Sequence, residues 1–228
     1  MRSPPDAVAV RAPVRGKPGR LGRREASVRR SFRAMQLHET QHVLRSLLRG
    51  MPHLLVGGVP RERAGEERLA FRRLGVVPSG DLRLSSDAFA NGEPIPIRYT
   101  ADGGGAEPPL RWSGVPQGAR SLALVVEDPD APTPRPFVHW LVYAIPPSAK
   151  SIDAARSGGA REGRNSMLTS GWVGCAPPKG DLAHRYFFQL FAVARDLDLR
   201  PGAGRSALLR AMSGHVLSCA TLIGTYRR

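Results

Sequence analysis

The amino-acid sequence predicts an all-β sandwich or barrel for the part of the chain after residue 80. Three apolar runs rich in aromatic and β-branched residues, at 121–126, 137–145 and 186–194, are typical of buried strands. Clusters of Gly and Pro separate strands at intervals typical of sandwiches and barrels. The linker E-D-P-D-A-P-T-P-R-P between the first two runs is too short for a crossover helix, so they are expected to form an antiparallel hairpin.

Shorter elements complete the predicted fold. Residues 205–212 (R-S-A-L-L-R-A-M) are expected to form a helix, with Gly214 available as its C-cap. Short apolar or alternating segments predict further strands at 82–84, 95–99, 110–112 and 216–226.

The segment before residue 81 differs from the rest of the chain in charge. Residues 1–80 carry 17 Lys and Arg against 6 Asp and Glu, whereas residues 81–228 carry 17 against 13. Arg outnumbers Lys 31 to 3 in the whole chain, which indicates coding bias in a GC-rich genome rather than a surface selected for nucleic acid. We therefore interpret 1–80 as a basic, largely disordered extension and 81–228 as the folded domain.

The extension itself has three parts. Residues 1–34 contain almost no large apolar side chain, so they cannot offset their chain entropy and are expected to be disordered. Apolar residues at helical spacing predict a short amphipathic helix at 36–50, and a weaker helix is expected at 61–74. A true start at Met35 or Met51 is the alternative interpretation of this region.

The sequence favours a cytoplasmic protein. Residues 28–32 (V-R-R-S-F) resemble the core of a twin-arginine export signal, but the polar stretch that follows lacks the apolar region such a signal needs. No apolar run approaches the length of a membrane span. A domain of about 150 residues buries enough surface without a disulfide, so Cys175 and Cys219 are expected to be reduced thiols.

Four polar side chains are expected to meet at one end of the predicted sheet. Asp128 lies where the first strand of the hairpin ends, and His139 lies near where the second begins. The third strand opens with H-R-Y, in which alternation places His184 and Tyr186 on one face. If this strand lies beside the hairpin, the imidazoles and the phenol can donate hydrogen bonds to a small anion such as a phosphate monoester. On the residues alone, a purely structural role for each histidine stays open.

Short motifs along the chain resemble the signature of the phosphatidylethanolamine-binding-protein family. They are D-P-D-A-P (128–132), F-V-H-W (137–140), P-P-K-G (177–180) and H-R-Y (184–186). The stretches at 86–100, 108–116 and 211–217 resemble the bacterial branch of the family, often called Raf-kinase-inhibitor-like. The resemblance covers 81–228 and nothing before it.

The resemblance implies a large antiparallel sheet packed on a smaller sheet, with one or two short helices near the C-terminus. It also implies a non-enzymatic ligand-binding or regulatory protein that needs no cofactor. Relatives bind phosphate-type head groups, and some inhibit kinases or proteases; a kinase or protease partner and a homodimer both stay open here. The implied anion pocket consists of Asp128, His139, Pro178, His184 and Tyr186.

The rim of this pocket departs from the family pattern. Many bacterial relatives read G-Y-x-G-P where this chain has G-W-V-G-C-A at 171–176. The exchange keeps an aromatic wall but replaces a hydroxyl with an indole N–H, and the missing proline is expected to loosen the loop. The expected rim residues are Pro129, Trp172, Gly174 and Cys175.

Two alternatives place different chemistry in the same cleft. A hydrolytic enzyme would use an imidazole oriented by Asp128 as a general base, but there is no G-x-S-x-G motif, and Cys175 is the only thiol expected nearby. Asp128, His139 and His184 also match a metal-ligand set, although they come from three separate segments without a dedicated metal spacing. The prediction is therefore a site without a metal.

A third alternative is nucleic-acid binding by the Arg-rich extension through phosphate contacts. Residues 1–80 contain only two aromatic side chains, Phe32 and Phe71, which leaves few platforms for stacking bases.

Overall fold

The computed structural model describes residues 63–78 and 80–228. No helix in this part of the chain has the length and apolarity needed to cross a membrane. The helices are α1 (Ala70–Arg73), α2 (Ile152–Ser157) and α3 (Arg205–Met212), with 3-10 turns at Glu66–Arg68 and Ile97–Tyr99. The strands are β1 (Arg83–Ser85), β2 (Arg111–Ser113), β3 (Ser121–Asp128), β4 (Phe137–Ile145), β5 (Arg161–Glu162), β6 (His184–Val193) and β7 (Val216–Tyr226).

The strands form a five-stranded antiparallel sheet in the order β5-β4-β3-β6-β7 and a two-stranded sheet of β1 and β2. The β3–β4 hairpin forms as predicted, and β6 pairs with the other edge of β3. Trp112 of the small sheet packs against the large sheet in a shared core. The predicted all-β fold, with a large sheet packed on a smaller one, is therefore confirmed.

Separate cores cover the two faces of the large sheet. On β3, Leu122 and Leu124 face the small sheet, whereas Ala123 and Val125 face the second core, which includes Leu208 of α3. Every residue of β3 is buried, which explains why this strand reads as a continuous apolar run rather than an alternating one.

The second core includes side chains from the segment before residue 81. Leu69 and Ala70 are fully buried, and Phe71 is 5% exposed. The backbone N–H of Ala70 donates to Glu127 Oε2 at 2.8 Å, and that of Phe71 donates to Gln189 Oε1 at 3.0 Å. These contacts fix α1 against the large sheet.

The structure differs from two expectations for the segment before residue 81. The helix predicted at 61–74 is present only as the 3-10 turn and α1. The domain start expected at residue 81 leaves out side chains that the second core contains, and we propose a start before residue 64. The helix predicted at 36–50 and the disorder predicted at 1–34 lie outside the described residues.

The strand predicted at 95–99 does not form. Pro94 and Pro96 lack the N–H groups that a strand donates, and the chain turns through Ile97–Tyr99 instead. Ile95 and Tyr99 are nevertheless buried, so the apolar alternation marks core contacts without marking a strand.

Cys175 and Cys219 are buried free thiols, as predicted. They belong to different cores, on opposite faces of the large sheet.

Candidate functional site

Strands β3, β4 and β6 bring the predicted site residues to one end of the large sheet. Tyr186 faces the core shared with the small sheet, and alternation along β6 places His184 on the same face. Asp128 is the last residue of β3, and its carboxylate reaches the His184 ring. His184 and Tyr186 of the H-R-Y motif therefore lie on one face of the sheet, as predicted.

A β-bulge turns His139 toward the same face. The register of β3 against β4 shifts between the pair Val126–Trp140 and the pair Glu127–Val138, which leaves His139 as the extra residue. A bulge of this kind redirects a side chain that regular alternation would place elsewhere. The His139 ring lies 5.1 Å from that of Tyr186, edge to face.

Asp128 orients His184 and not His139. Its Oδ2 lies 2.8 Å from His184 Nδ1, while Oδ1 accepts hydrogen bonds from the backbone N–H groups of Asp130 and Ala131. His139 Nδ1 instead lies 2.6 Å from the carbonyl oxygen of Val173. The Asp128–His139 hydrogen bond considered for an enzyme is therefore absent.

The two imidazoles favour different protonation states. Burial lowers the pKa of His184, but the hydrogen bond and the negative charge of Asp128 outweigh burial and raise that pKa above its usual value. Burial dominates for His139 and lowers its pKa, with Asp128 and the Val173 carbonyl opposing. Because a carbonyl only accepts, His139 Nδ1 carries the proton, and Nε2 of the neutral ring is an acceptor.

The Tyr186 hydroxyl is a buried polar group without a hydrogen bond among the described residues. Tyr186 is fully buried, and burial, together with negative charge near the ring, raises the pKa of the phenol so that it stays a donor. Cys175 lies close by, but its thiol does not reach the hydroxyl with hydrogen-bond geometry. Burial and the charge of Asp128 raise the pKa of Cys175, which disfavours the thiolate a nucleophile needs.

The predicted rim residues Trp172 and Gly174 pack next to the site. The Trp172 ring stacks on Phe188, and its indole N–H donates to the Tyr99 carbonyl at 3.1 Å, so that donor is already used within the protein. A Cβ on Gly174 would lie 2.7 Å from the Ala101 nitrogen, so the close approach of two backbones requires glycine there.

The two prolines of the predicted site lie in loops beside it. The Pro178 carbonyl accepts a hydrogen bond from the N–H of Asp181 at 3.2 Å. The Pro129 carbonyl accepts one from Gly65, also at 3.2 Å, so this side of the rim contacts the segment before residue 81.

Sequence reasoning missed Asp181. Its Oδ2 lies 3.4 Å from His184 Nε2 and 3.5 Å from an Arg63 nitrogen, so it neighbours the ring nitrogen that Asp128 leaves unused. Asp181 is in a loop, where no spacing rule relates it to His184.

The metal alternative finds no geometric support in the described residues. Among them, no group of three or more His, Cys, Asp or Glu side chains is placed to hold a metal ion.

Comparisons with known proteins identify the family. A family model described as phosphatidylethanolamine-binding protein matches residues 85–227. A UPF0098 protein of Methanothermobacter thermautotrophicus is 46% identical over 153 residues, which cover 64% of this chain and 99% of the relative. The chain therefore belongs to the phosphatidylethanolamine-binding-protein family, as the motifs predicted, and members of this family are generally binding proteins without catalytic activity.

Solved structures agree with this assignment. The phosphatidylethanolamine-binding-protein homolog CT736 of Chlamydia trachomatis is similar with a TM-score of 0.61 at 38% identity, covering 66% of this chain and 99% of that one. YbcL of E. coli, described as a new member of the mammalian phosphatidylethanolamine-binding-protein family, also has a TM-score of 0.61, at 28% identity, covering 65% of this chain and 99% of that one.

Proposed function

We propose that this chain is a non-enzymatic binding protein whose pocket takes the phosphate group of a monoester or of a phospholipid head group. The observation that supports this most strongly is the Tyr186 hydroxyl, which is buried without a hydrogen bond among the described residues. Such a group costs about 1–3 kcal/mol of stability unless a partner satisfies it. An anion accepting from this hydroxyl would remove that cost.

The two histidines have complementary roles in this proposal. His184, held by Asp128, carries a positive charge below its raised pKa and donates its Nε2 proton to the anion, displacing Asp181. His139 is neutral and accepts at Nε2, so it pairs with a hydrogen-bond donor of the ligand. A singly protonated phosphate monoester offers both the acceptor and the donor in its phosphate group, whereas a phospholipid head group would supply the donor from another group, such as an ammonium. This differs from the prediction that both imidazoles donate.

Binding in this pocket would make the protein a modulator rather than a catalyst. An inhibitory action on a kinase or protease rests on the family resemblance, and the pocket geometry does not select the partner.

Calorimetric titration with phosphoethanolamine and with phosphate between pH 8 and 6 tests the proposal. A charge-assisted hydrogen bond contributes about 1.5–3 kcal/mol, so His184→Ala should weaken binding about ten- to a hundredfold. Wild-type affinity should rise as the pH falls through the raised pKa of His184, because the cation is the better anion partner.

The matched control is His215→Ala, which removes an exposed imidazole outside the pocket and should leave binding unchanged. Circular dichroism verifies that both variants are folded. Affinity that is indifferent to pH and to His184→Ala would contradict the proposed site while leaving the family assignment intact.

A further inference from the structure

A cavity lies on the face of the large sheet opposite the His139–His184 site. It has a volume of about 750 Å³, and none of the predicted site residues lines it. Val138, which belongs to the second core, forms part of its wall, whereas the next residue, His139, turns to the opposite face. Five arginines line this cavity, which we call the arginine cleft: Arg68, Arg73, Arg135, Arg164 and Arg205.

Few of the described residues neutralise the positive charge of the arginine cleft, and no Asp or Glu among them lines it. Glu127 lies beneath it and pairs with Arg205 Nε. The guanidinium groups of Arg73, Arg135 and Arg164 form no ion pair or hydrogen bond with any of the described residues. Like charges lining a concave surface repel one another and focus a positive potential, which an anion would relieve.

Two of the arginines are fixed in place by the fold. Arg205 Nη2 donates to the Arg68 carbonyl at 2.6 Å, and Arg68 Nη1 donates to the Pro134 carbonyl. These contacts tie the segment before residue 81, the β3–β4 loop and α3 into one wall. The wall is therefore organised before any ligand binds.

The amino-terminal turn of α3 adds backbone donors. Residues 204–207 line the cleft, Gly204 offers no side chain to cap the helix, and the first turn contains no acidic residue. The Ala207 N–H already donates to the Gly204 carbonyl at 3.1 Å, and the N–H groups before it have no partner within the helix. The helix dipole favours an anion at this end.

The opposite rim is a hydrogen-bonded loop that exposes one large apolar side chain. Asn165 is buried and organises the loop by accepting from the N–H groups of Met167 and Thr169. Ser166 ties the same loop to β4 through two hydrogen bonds with the Val138 backbone. This loop holds Leu168 at a φ of 62°, with the residue 75% exposed at the edge of the cleft.

We propose that the arginine cleft is a second anion site that binds a compact oligophosphate, either free or carried by a nucleotide. Guanidinium forks and helix N–H groups both match phosphate oxygens, and several phosphates use several arginines at once. The volume falls within the range of small-molecule pockets, roughly 300–1,000 Å³. None of the described residues that line the cleft is aromatic, so they supply no platform on which single-stranded nucleic acid stacks.

The test is calorimetric titration of the full chain at physiological ionic strength with inorganic tripolyphosphate, ATP and orthophosphate. The variant is Arg135→Gln with Arg164→Gln, which removes two charges that have no partner among the described residues and spares Arg68 and Arg205. Tripolyphosphate should bind the wild type and should bind this variant at least tenfold more weakly. ATP should show the same loss, whereas orthophosphate, which the Tyr186 pocket is proposed to bind, should bind the wild type and this variant equally.

The matched control removes the same charge elsewhere, through Arg210→Gln with Arg227→Gln, both exposed and outside the cleft. It should leave tripolyphosphate binding unchanged, as should His184→Ala. An equal loss in the control variant, or an unaltered affinity in the cleft variant, would overturn the proposal. So would a single-stranded oligonucleotide that binds more tightly than tripolyphosphate and gains affinity with length.

Discussion

At the scale of single residues, the site contains two imidazoles whose surroundings shift their pKa values in opposite directions. His184 shares a proton with a carboxylate, which favours the cation, whereas His139 is enclosed by aromatic rings and faces a carbonyl. The same side-chain type therefore supplies a charged donor and a neutral acceptor within one pocket. Burial alone would have made both neutral.

The two histidines should titrate on opposite sides of the usual histidine pKa, about 6.5. NMR of the imidazole protons should show His184 titrating above that value and His139 below it. His184→Ala and His139→Asn variants assign the two resonances. Titration of both rings together near 6.5 would contradict the environments described.

These shifts also determine how stability depends on pH. The raised pKa of His184 stabilises the fold fully below about 6.5, and this contribution is lost as the pH rises through the folded-state pKa. The lowered pKa of His139 acts in the other direction, destabilising the fold as the pH falls below about 6.5.

At the scale of elements, Glu127 joins three parts of the fold. This fully buried carboxylate accepts from the Ala70 N–H of α1 and from the Gln189 amide of β6, each at 2.8 Å, and pairs with Arg205 of α3. Its neighbour Asp128 faces the proposed anion site, so adjacent residues at the end of β3 contact the two faces of the sheet.

Replacing Glu127 with Gln should therefore destabilise the protein. The amide has the same shape as the carboxylate but leaves Arg205 without its counter-charge. Its NH2 group would also face groups that are themselves donors. We expect the free energy of unfolding to fall by about 2–4 kcal/mol. Urea unfolding provides the measurement.

The control for this comparison is Asp196→Asn, which removes the exposed partner of Arg120. Exposed ion pairs contribute about 0–1 kcal/mol, so this variant should unfold close to the wild type. Equal effects of the two substitutions would show that Glu127 does not join the elements as described.

At the scale of the whole molecule, the structure extends the folding unit toward the amino terminus. A chain that begins at Pro60, where the compact unit begins, should retain the second core, whereas one that begins at Val77 loses the buried Leu69 and Phe71. Removing such side chains costs about 3 kcal/mol or more, so the shorter chain should melt well below the longer one. Equal melting temperatures would support the boundary expected at residue 81.

Sequence reasoning reached much of the site because strand alternation and the hairpin determine which side chains share a face. It could not find the bulge at His139, since one extra residue in a strand has no sequence marker, nor the Val173 carbonyl, a group that every residue carries. The buried side chains of α1 were missed because Leu69 and Phe71 stand among charged residues, and only contact with the sheet shows that they are core.

In the proposed function, the Tyr186 hydroxyl serves a ligand rather than the fold. Tyr186→Phe removes a buried hydroxyl that has no hydrogen bond in the described structure. The unliganded variant should therefore melt at the wild-type temperature or above it, because an unsatisfied buried group costs about 1–3 kcal/mol.

The most direct test is the increase in melting temperature that saturating phosphoethanolamine causes in the wild type and in Tyr186→Phe. The account predicts a clear increase for the wild type and a much smaller one for the variant, with affinity reduced about tenfold, the value of one hydrogen bond. A variant that is less stable without ligand, yet gains as much as the wild type with it, would contradict the account.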